Sequence, residues 1–337
     1  MKKVTMRDIG AALGVSTVTI SKALSGKEGV SDAVRDKIIE TARQMGYHYG
    51  APQPEAEGKI IGILIADRHF SAPSFYSALY RELLREVKEA GMLGVLEIVS
   101  DQEEMSQTPP LSMTVQKVSG IVLVGQFAEE YVSAVLDTGL PTVLLDFFCD
   151  GLDVDAVVSD GSGGCYQVTR YLIERGHRDI GFVGNIDRTT SIMDRYSGFL
   201  RAMMTARLAV REDWLLRDSD RQGRYPRQFD LPKSLPTAFV CNNDMVACLL
   251  ANQLEAQGVR VPEDVSIVGF DNFVYGEGVR PITTYAVDQQ RMAQETVRRM
   301  KTRIHEGMEG PVRLSVSGWF VERDSVMDLN TGRRCHP

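Results

Sequence analysis

Beyond residue 60, short uninterrupted apolar runs alternate with longer segments whose apolar residues recur every three or four positions. Uninterrupted runs read as strands buried on both faces, and the longer pattern reads as helices that cover them. The predicted strands are Ile60–Ala66, Leu93–Val99, Gly120–Val124, Thr142–Asp146, Ala156–Ser159, Asp179–Val183, Ala238–Cys241 and Val265–Phe270, with a last one near Val316–Val321. The predicted helices are Phe75–Ala90, Glu130–Thr138, Gly163–Arg175, Tyr196–Ala206, Met245–Gln257 and Asp288–Glu306. Such alternation predicts an α/β fold, doubly wound parallel sheets with helices on both faces. The segment 60–337 is too long for one comfortable sheet, which predicts two lobes.

Residues 1–47 follow another pattern. Thr5 caps a short helix through Ile9 and Leu13 that Gly14 ends, and Ser16 caps a second in which Ile20 and Leu24 are four apart. Ser31 opens a third, with Val34, Ile38, Ala42 and Met45 on its apolar face. At about 100° per residue the second helix turns Ile20 and Leu24 to one side and Thr17, Val18, Ser21 and Lys22 to the other. Small hydroxylated side chains and one long cation suit a helix that enters a DNA major groove, and Val18 suits a thymine methyl. Residues 48–59, which include Pro52, Pro54 and Gly58, form a linker.

Charge supports the division. Residues 1–50 carry eight Lys/Arg against five Asp/Glu, hence +3, and since the chain totals -7 the rest carries -10. A basic head on an acidic body fits a nucleic-acid reader joined to something else. The five cysteines have no CxxC pair, and the five histidines are scattered, so neither a disulfide framework nor a metal site is expected. The start lacks an apolar signal segment and no run is long enough for a membrane helix, so a cytoplasmic protein without membrane contact is expected.

The run from Val4 to Leu24, followed by Val30-Ser31, Arg35 and Gly46-Tyr47, resembles the headpiece of the lactose-repressor (LacI/GalR) family of bacterial transcription regulators. The body resembles that family's effector domain, which has the fold of periplasmic sugar-binding proteins. The matching phrases include Phe75-Tyr76, Leu144-Leu145-Asp146, Arg175-Gly176-His177, Asp194-Arg195-Tyr196, Asn242-Asn243-Asp244 and Val268-Gly269-Phe270-Asp271. The linker departs from the family pattern: no Ala-Arg-x-Leu-like stretch occurs, and Pro52 and Pro54 disfavour a hinge helix there. Residues 218–237, with three prolines, leave room for at most a turn or two of helix where the family has more.

The resemblance implies operator DNA as one partner, with Thr5, Ser16, Thr17, Val18, Thr19, Ser21 and Lys22 as candidate contacts. It also implies a small effector between the lobes, with Phe75, Asp146, Arg195, Asn243 and Asp271 at contact positions and Phe147 beside one. Ligands of open α/β sheets bind beyond the carboxyl ends of strands, where Asp67, Asp146, Phe147, Asn243 and Asp271 fall. Carboxylates and amides share the hydrogens of a polyol, an arginine offers a planar fork, and an aromatic ring covers the apolar side of a sugar. A sugar that relieves repression is the default, and a nucleobase or sugar-phosphate corepressor is the alternative.

An enzyme is the rival class. Asp160-Gly161-Ser162-Gly163-Gly164 lacks the spacing and lysine of a phosphate loop, and no GxSxG nucleophile elbow is present. No catalytic residue and no cofactor are expected, and a solute-binding protein is disfavoured by the attached headpiece. A single headpiece reads a short half-site, so a homodimer is expected. Residues 329–337 are too few for a heptad helix that would join dimers into a tetramer.

Overall fold

The structure, a computed structural model, describes residues 6–24, 29–45, 59–70, 74–110, 118–220, 224–273, 281–306 and 310–335. The chain divides into two units, Met1–Glu57 and Gly58–Pro337. Apart from Lys59, the predicted linker 48–59 lies outside the described residues, as do Thr5 and Gly46-Tyr47.

The first unit contains the helices Met6–Leu13, Thr17–Leu24 and Asp32–Gln44. Ile9, Ile20, Ala23, Ile38 and Ala42 make its core. Helix one meets the turn that follows it at Gly10, where an added Cβ would stand 2.8 Å from the Val15 carbonyl oxygen. The Arg35 guanidinium donates to the Ala23 carbonyl at 3.4 Å and to the Val30 carbonyl at 3.5 Å, tying helix three to the end of helix two. Val34, expected on the buried face, is 40% exposed: it lies in the first turn of its helix, past the edge of a small core.

The second unit contains two six-stranded sheets. The first runs β11-β5-β4-β3-β1-β2, built from Arg313–Val316, Asp155–Ser159, Thr142–Leu145, Gly120–Val124, Ile60–Ala66 and Leu93–Val99, with every pairing parallel. The second runs β12-β10-β9-β8-β6-β7, built from Trp319–Val321, Thr283–Ala286, Ser266–Asp271, Ala238–Cys241, Ile180–Val183 and Leu215–Leu216. Only β12 is antiparallel to its neighbour. The strand β1, flanked by β2 and β3, is buried from Ile61 to Ala66, as expected of a parallel strand covered on both faces.

The chain passes between these lobes three times. At Asp160 it leaves β5 for the helix Gly161–Glu174, which packs on the second sheet. After β10 it returns through the helix Gln289–Glu306, which packs on the first sheet. The third passage lies between β11 and β12, so the single strand expected near Val316–Val321 is two strands in different sheets. Gly318 makes this possible: an added Cβ would stand 1.8 Å from the Ala286 carbonyl oxygen, where two passages press together.

Polar anchors fix the lobes internally. The buried Asp155 accepts from Arg303 Nε at 2.8 Å, Arg299 Nε at 2.9 Å and the Val312 amide at 2.8 Å, which joins β5, β11 and the helix Gln289–Glu306. His177 is a satisfied core histidine, with Thr237 Oγ1 at 3.0 Å from Nδ1 and the Met327 carbonyl at 3.0 Å from Nε2. The described part of 218–237 contains no helix. Phe229 holds it in place, its amide donating to Gln253 Oε1 at 2.6 Å while its carbonyl accepts from Gln253 Nε2 at 2.8 Å.

Candidate ligand cavity and DNA-contact helix

In the first unit, Ser16 caps the helix Thr17–Leu24: its Oγ accepts from the Thr19 amide at 3.1 Å and lies 2.9 Å from Thr19 Oγ1. Both hydroxyls serve the cap, and Thr19 is half-buried. Thr17, Val18, Ser21 and Lys22 are exposed, while Ile20 and Ala23 are buried. Val18 at 63% exposure is an apolar, β-branched side chain held in solvent on a helix otherwise lined by hydroxyls and a lysine.

In the second unit a cavity of about 160 Å³ lies between the lobes, at the carboxyl ends of their strands. Phe75, Asp146, Arg195, Asn243 and Asp271 all line it. Asp146 follows β4 with φ +69°, and Asp271 ends β9 with φ +99°. Carboxylates from both lobes are thus held on left-handed backbone, which is strained for a residue other than glycine. Asp146 accepts from Tyr76 Oη at 3.0 Å and from Ser159 Oγ at 3.5 Å.

Arg195, in the helix Thr190–Thr205, donates from Nη1 to the Asn242 carbonyl at 2.7 Å and from Nη2 to Asp271 Oδ1 at 3.1 Å. Its guanidinium lies 4.1 Å from the Phe270 ring centroid, and its Nε is buried without a partner among the described residues. Burial pushes the Asp146 carboxyl up to about 6 and the Asp271 carboxyl up to about 7, with Arg195 pulling both back. Burial also works against the arginine charge, but Asp271 and Asp146 outweigh it and hold Arg195 above its ordinary value. The cavity floor therefore contains a cation and two carboxyls that titrate near neutrality.

Asn243 divides its amide between two tasks. Its Oδ1 accepts from the Val246 amide at 2.8 Å, capping the helix Asp244–Ala256, and its Nδ2 donates to Tyr225 Oη at 3.4 Å.

Two expected contacts do not reach the cavity. Phe147 is 1% exposed and packs in the first lobe's core, 6.2 Å from the Phe127 ring, because the left-handed turn at Asp146 sends successive side chains to opposite sides. Asp67 opens the one-turn 3-10 helix Asp67–His69 and is exposed; Arg68 and His69, next along, line the cavity instead. Sequence reasoning also missed Tyr76, Arg188, Asp218 and Tyr225 among the lining residues. Tyr76 adjoins Phe75 in a phrase already singled out, but Tyr225 comes from irregular chain with no period to mark it. Asp218 accepts from the Asn185 amide at 2.8 Å and from Asn242 Nδ2, so it positions the strand ends around Arg195. Gln126 joins the lobes beside the cavity, its Oε1 accepting from the Thr190 amide at 3.0 Å and Thr190 Oγ1 at 3.1 Å.

Residues 5–49 match the family described as bacterial regulatory proteins, lacI family, and residues 169–326 match the periplasmic binding protein-like domain. The HTH-type transcriptional repressor PurR of Vibrio cholerae is 26% identical over 337 residues, covering 96% of this chain and 98% of its own. PurR of Pectobacterium carotovorum is 28% identical, covering 96% and 97%. Among solved structures, a transcriptional regulator CelR–cellobiose complex aligns with TM-score 0.67 and 24% identity over 96% of this chain and 99% of that one. A LacI family regulator from Enterococcus faecium with bound ribose aligns with TM-score 0.65 and 24% identity over 80% and 100%. The helix-turn-helix head, the two-lobed body and both family matches lead to one conclusion: the chain belongs to the LacI family of bacterial regulatory proteins.

Proposed function

We propose that this transcriptional regulator, whose DNA binding a small ligand controls, takes a neutral sugar as its effector and works as a cytoplasmic homodimer on a two-fold operator. The observation that carries the sugar reading is the pair of buried carboxyls, Asp146 and Asp271, on either lobe with Arg195 beside them. Acceptors from two lobes and one fork of donors suit a molecule that carries hydroxyls all round, and lobe closure on it links ligand to conformation. Phe75 adds an apolar wall. The cellobiose and ribose bound by the two structural neighbours support the same class. The PurR relatives favour a nucleobase, a reading to which the Tyr76 and Tyr225 rings also lend themselves.

In the first unit, Thr17, Val18, Ser21 and Lys22 form the base-reading face, and Ser16 and Thr19 shape its cap. The dimer reading draws on β2, an edge strand whose Leu93 and Ile98 are 57% and 40% exposed. A long apolar edge calls for a cover, and a second copy provides one.

A thermal-shift screen of the full chain against neutral sugars, sugar phosphates and purine bases tests the effector class. A ligand that prefers the native state raises the melting temperature, so a neutral sugar is expected to give the largest rise. A purine base that raises it while every sugar leaves it unchanged refutes the sugar reading and establishes the alternative.

A further inference from the structure

We propose that His69 is a specificity-determining residue of the ligand cavity, its Nε2 accepting a hydrogen bond from a hydroxyl or N–H group of the bound effector. This rests on the cavity being the effector site.

His69 ends the 3-10 turn that follows β1 and lines the cavity. Its ring lies 4.7 Å from the Tyr76 ring, tilted by 46°. Gly125, with φ +77°, lies against both rings: an added Cβ would stand 2.9 Å from His69 Cδ2 and 3.2 Å from Tyr76 Cε1. The imidazole is thus packed against a tyrosine that holds Asp146, and a strand end that only glycine fits lies close to both rings.

The two ring nitrogens differ. One faces the Gln126 backbone, and a ring N–H donates there. Nε2 is buried and has no hydrogen-bond partner among the described residues, so it is not that donor. The ring is neutral, because burial lowers its pKa to about 3 and the Arg68 and Arg188 cations add to the effect. Arg68 is paired with Glu104 and Asp101, and among the described residues no carboxylate partners the ring itself. A neutral imidazole that donates through Nδ1 leaves a lone pair on Nε2.

The carboxyls of the cavity floor each have a protein donor and keep further lone pairs for the ligand, Asp146 with Tyr76 and Ser159 and Asp271 with Arg195. Nε2 is an acceptor without a donor in a wall that water barely reaches. Such a site discriminates strongly, because a ligand lacking the matching donor leaves the acceptor unpaired.

The test uses the full chain. Neutral mono- and disaccharides and purine bases are titrated by calorimetry, and the best binder is compared with its monodeoxy or N-methyl analogues, each lacking one donor. His69→Phe is expected to weaken the parent by about tenfold or more and to erase the preference over one analogue. His69→Gln, which keeps an acceptor, recovers part of the affinity. A His69→Phe protein that still prefers the parent over every analogue overturns the proposal. Imidazole ¹⁵N shifts at pH 7 give a readout that needs no ligand: an unprotonated Nε2 supports the assignment and a protonated one overturns it. If no compound binds the unaltered protein, the sugar reading fails, and the ¹⁵N shifts still decide for or against His69.

Discussion

Arg195→Ala separates the charges of the cavity floor. Deleting one partner of a buried ion pair destabilises by about 3–5 kcal/mol when the survivor stays charged. Here the survivors take up protons instead, since burial already pushes Asp271 up to about 7 and Asp146 up to about 6 with the arginine present. Near pH 6 the variant therefore loses mainly two hydrogen bonds, to Asn242 and Asp271, and the guanidinium packing on Phe270, roughly 1–3 kcal/mol together. Both carboxyls have folded pKa values above their unfolded ones. Their contribution is fully present below the unfolded pKa and is lost as pH rises to the folded pKa.

In the unaltered protein that loss ends near pH 7, where Asp271 ionises beside Arg195. In the variant it continues, at about 1.4 kcal/mol per pH unit for each carboxyl that stays protonated. The gap in stability between the two proteins is therefore expected to widen by about 1–3 kcal/mol from pH 6.5 to pH 8.5. Urea unfolding at several pH values, followed by the fluorescence of Trp214, which is buried in the same lobe, measures it. A gap that stays constant over that range refutes the assigned roles of Asp146, Arg195 and Asp271.

Three further outcomes are expected. Lys22→Ala weakens operator binding at fixed salt and leaves the ligand-induced melting shift intact, and unchanged operator affinity removes the lysine from the DNA face. Phe147→Ala lowers stability by about 3–5 kcal/mol in urea unfolding and leaves ligand affinity unchanged, because the ring fills the first lobe's core. Ile98→Asp shifts the protein toward monomer in light scattering, and an unaltered mass moves the dimer contact away from β2.

Continuous apolar runs made several strands legible, the edge strand β2 among them. Ile60–Ala66, Leu93–Val99, Gly120–Val124 and Ala238–Cys241 have the bounds that pattern predicts. The strand Thr283–Ala286 escaped notice because half of it is threonine, whose polarity reads as loop until Thr283 Oγ1 is seen donating to the Arg323 carbonyl at 2.9 Å. The helix Thr190–Thr205 begins six residues before the predicted start, since Thr190-Ser191 looks polar while Thr189 caps it by accepting from the Ile192 amide at 3.2 Å. In the site, strand ends and family likeness together pointed to Asp146, Arg195, Asn243 and Asp271. Phe147 and Asp67 failed because which side chain faces the cavity depends on backbone turns after the strand, which periodicity does not encode.

The three passages between the lobes bear on synthesis. The first sheet lacks its edge strand β11 until Arg313–Val316 has been made, and the second lacks β12 until Trp319–Val321 follows a few residues later. Emerging from the ribosome, neither half reaches its final form ahead of the other; both remain open until these two neighbouring strands are made and then close almost together. Nascent copies thus spend that interval with unpaired strand edges, a period in which chaperones have something to hold.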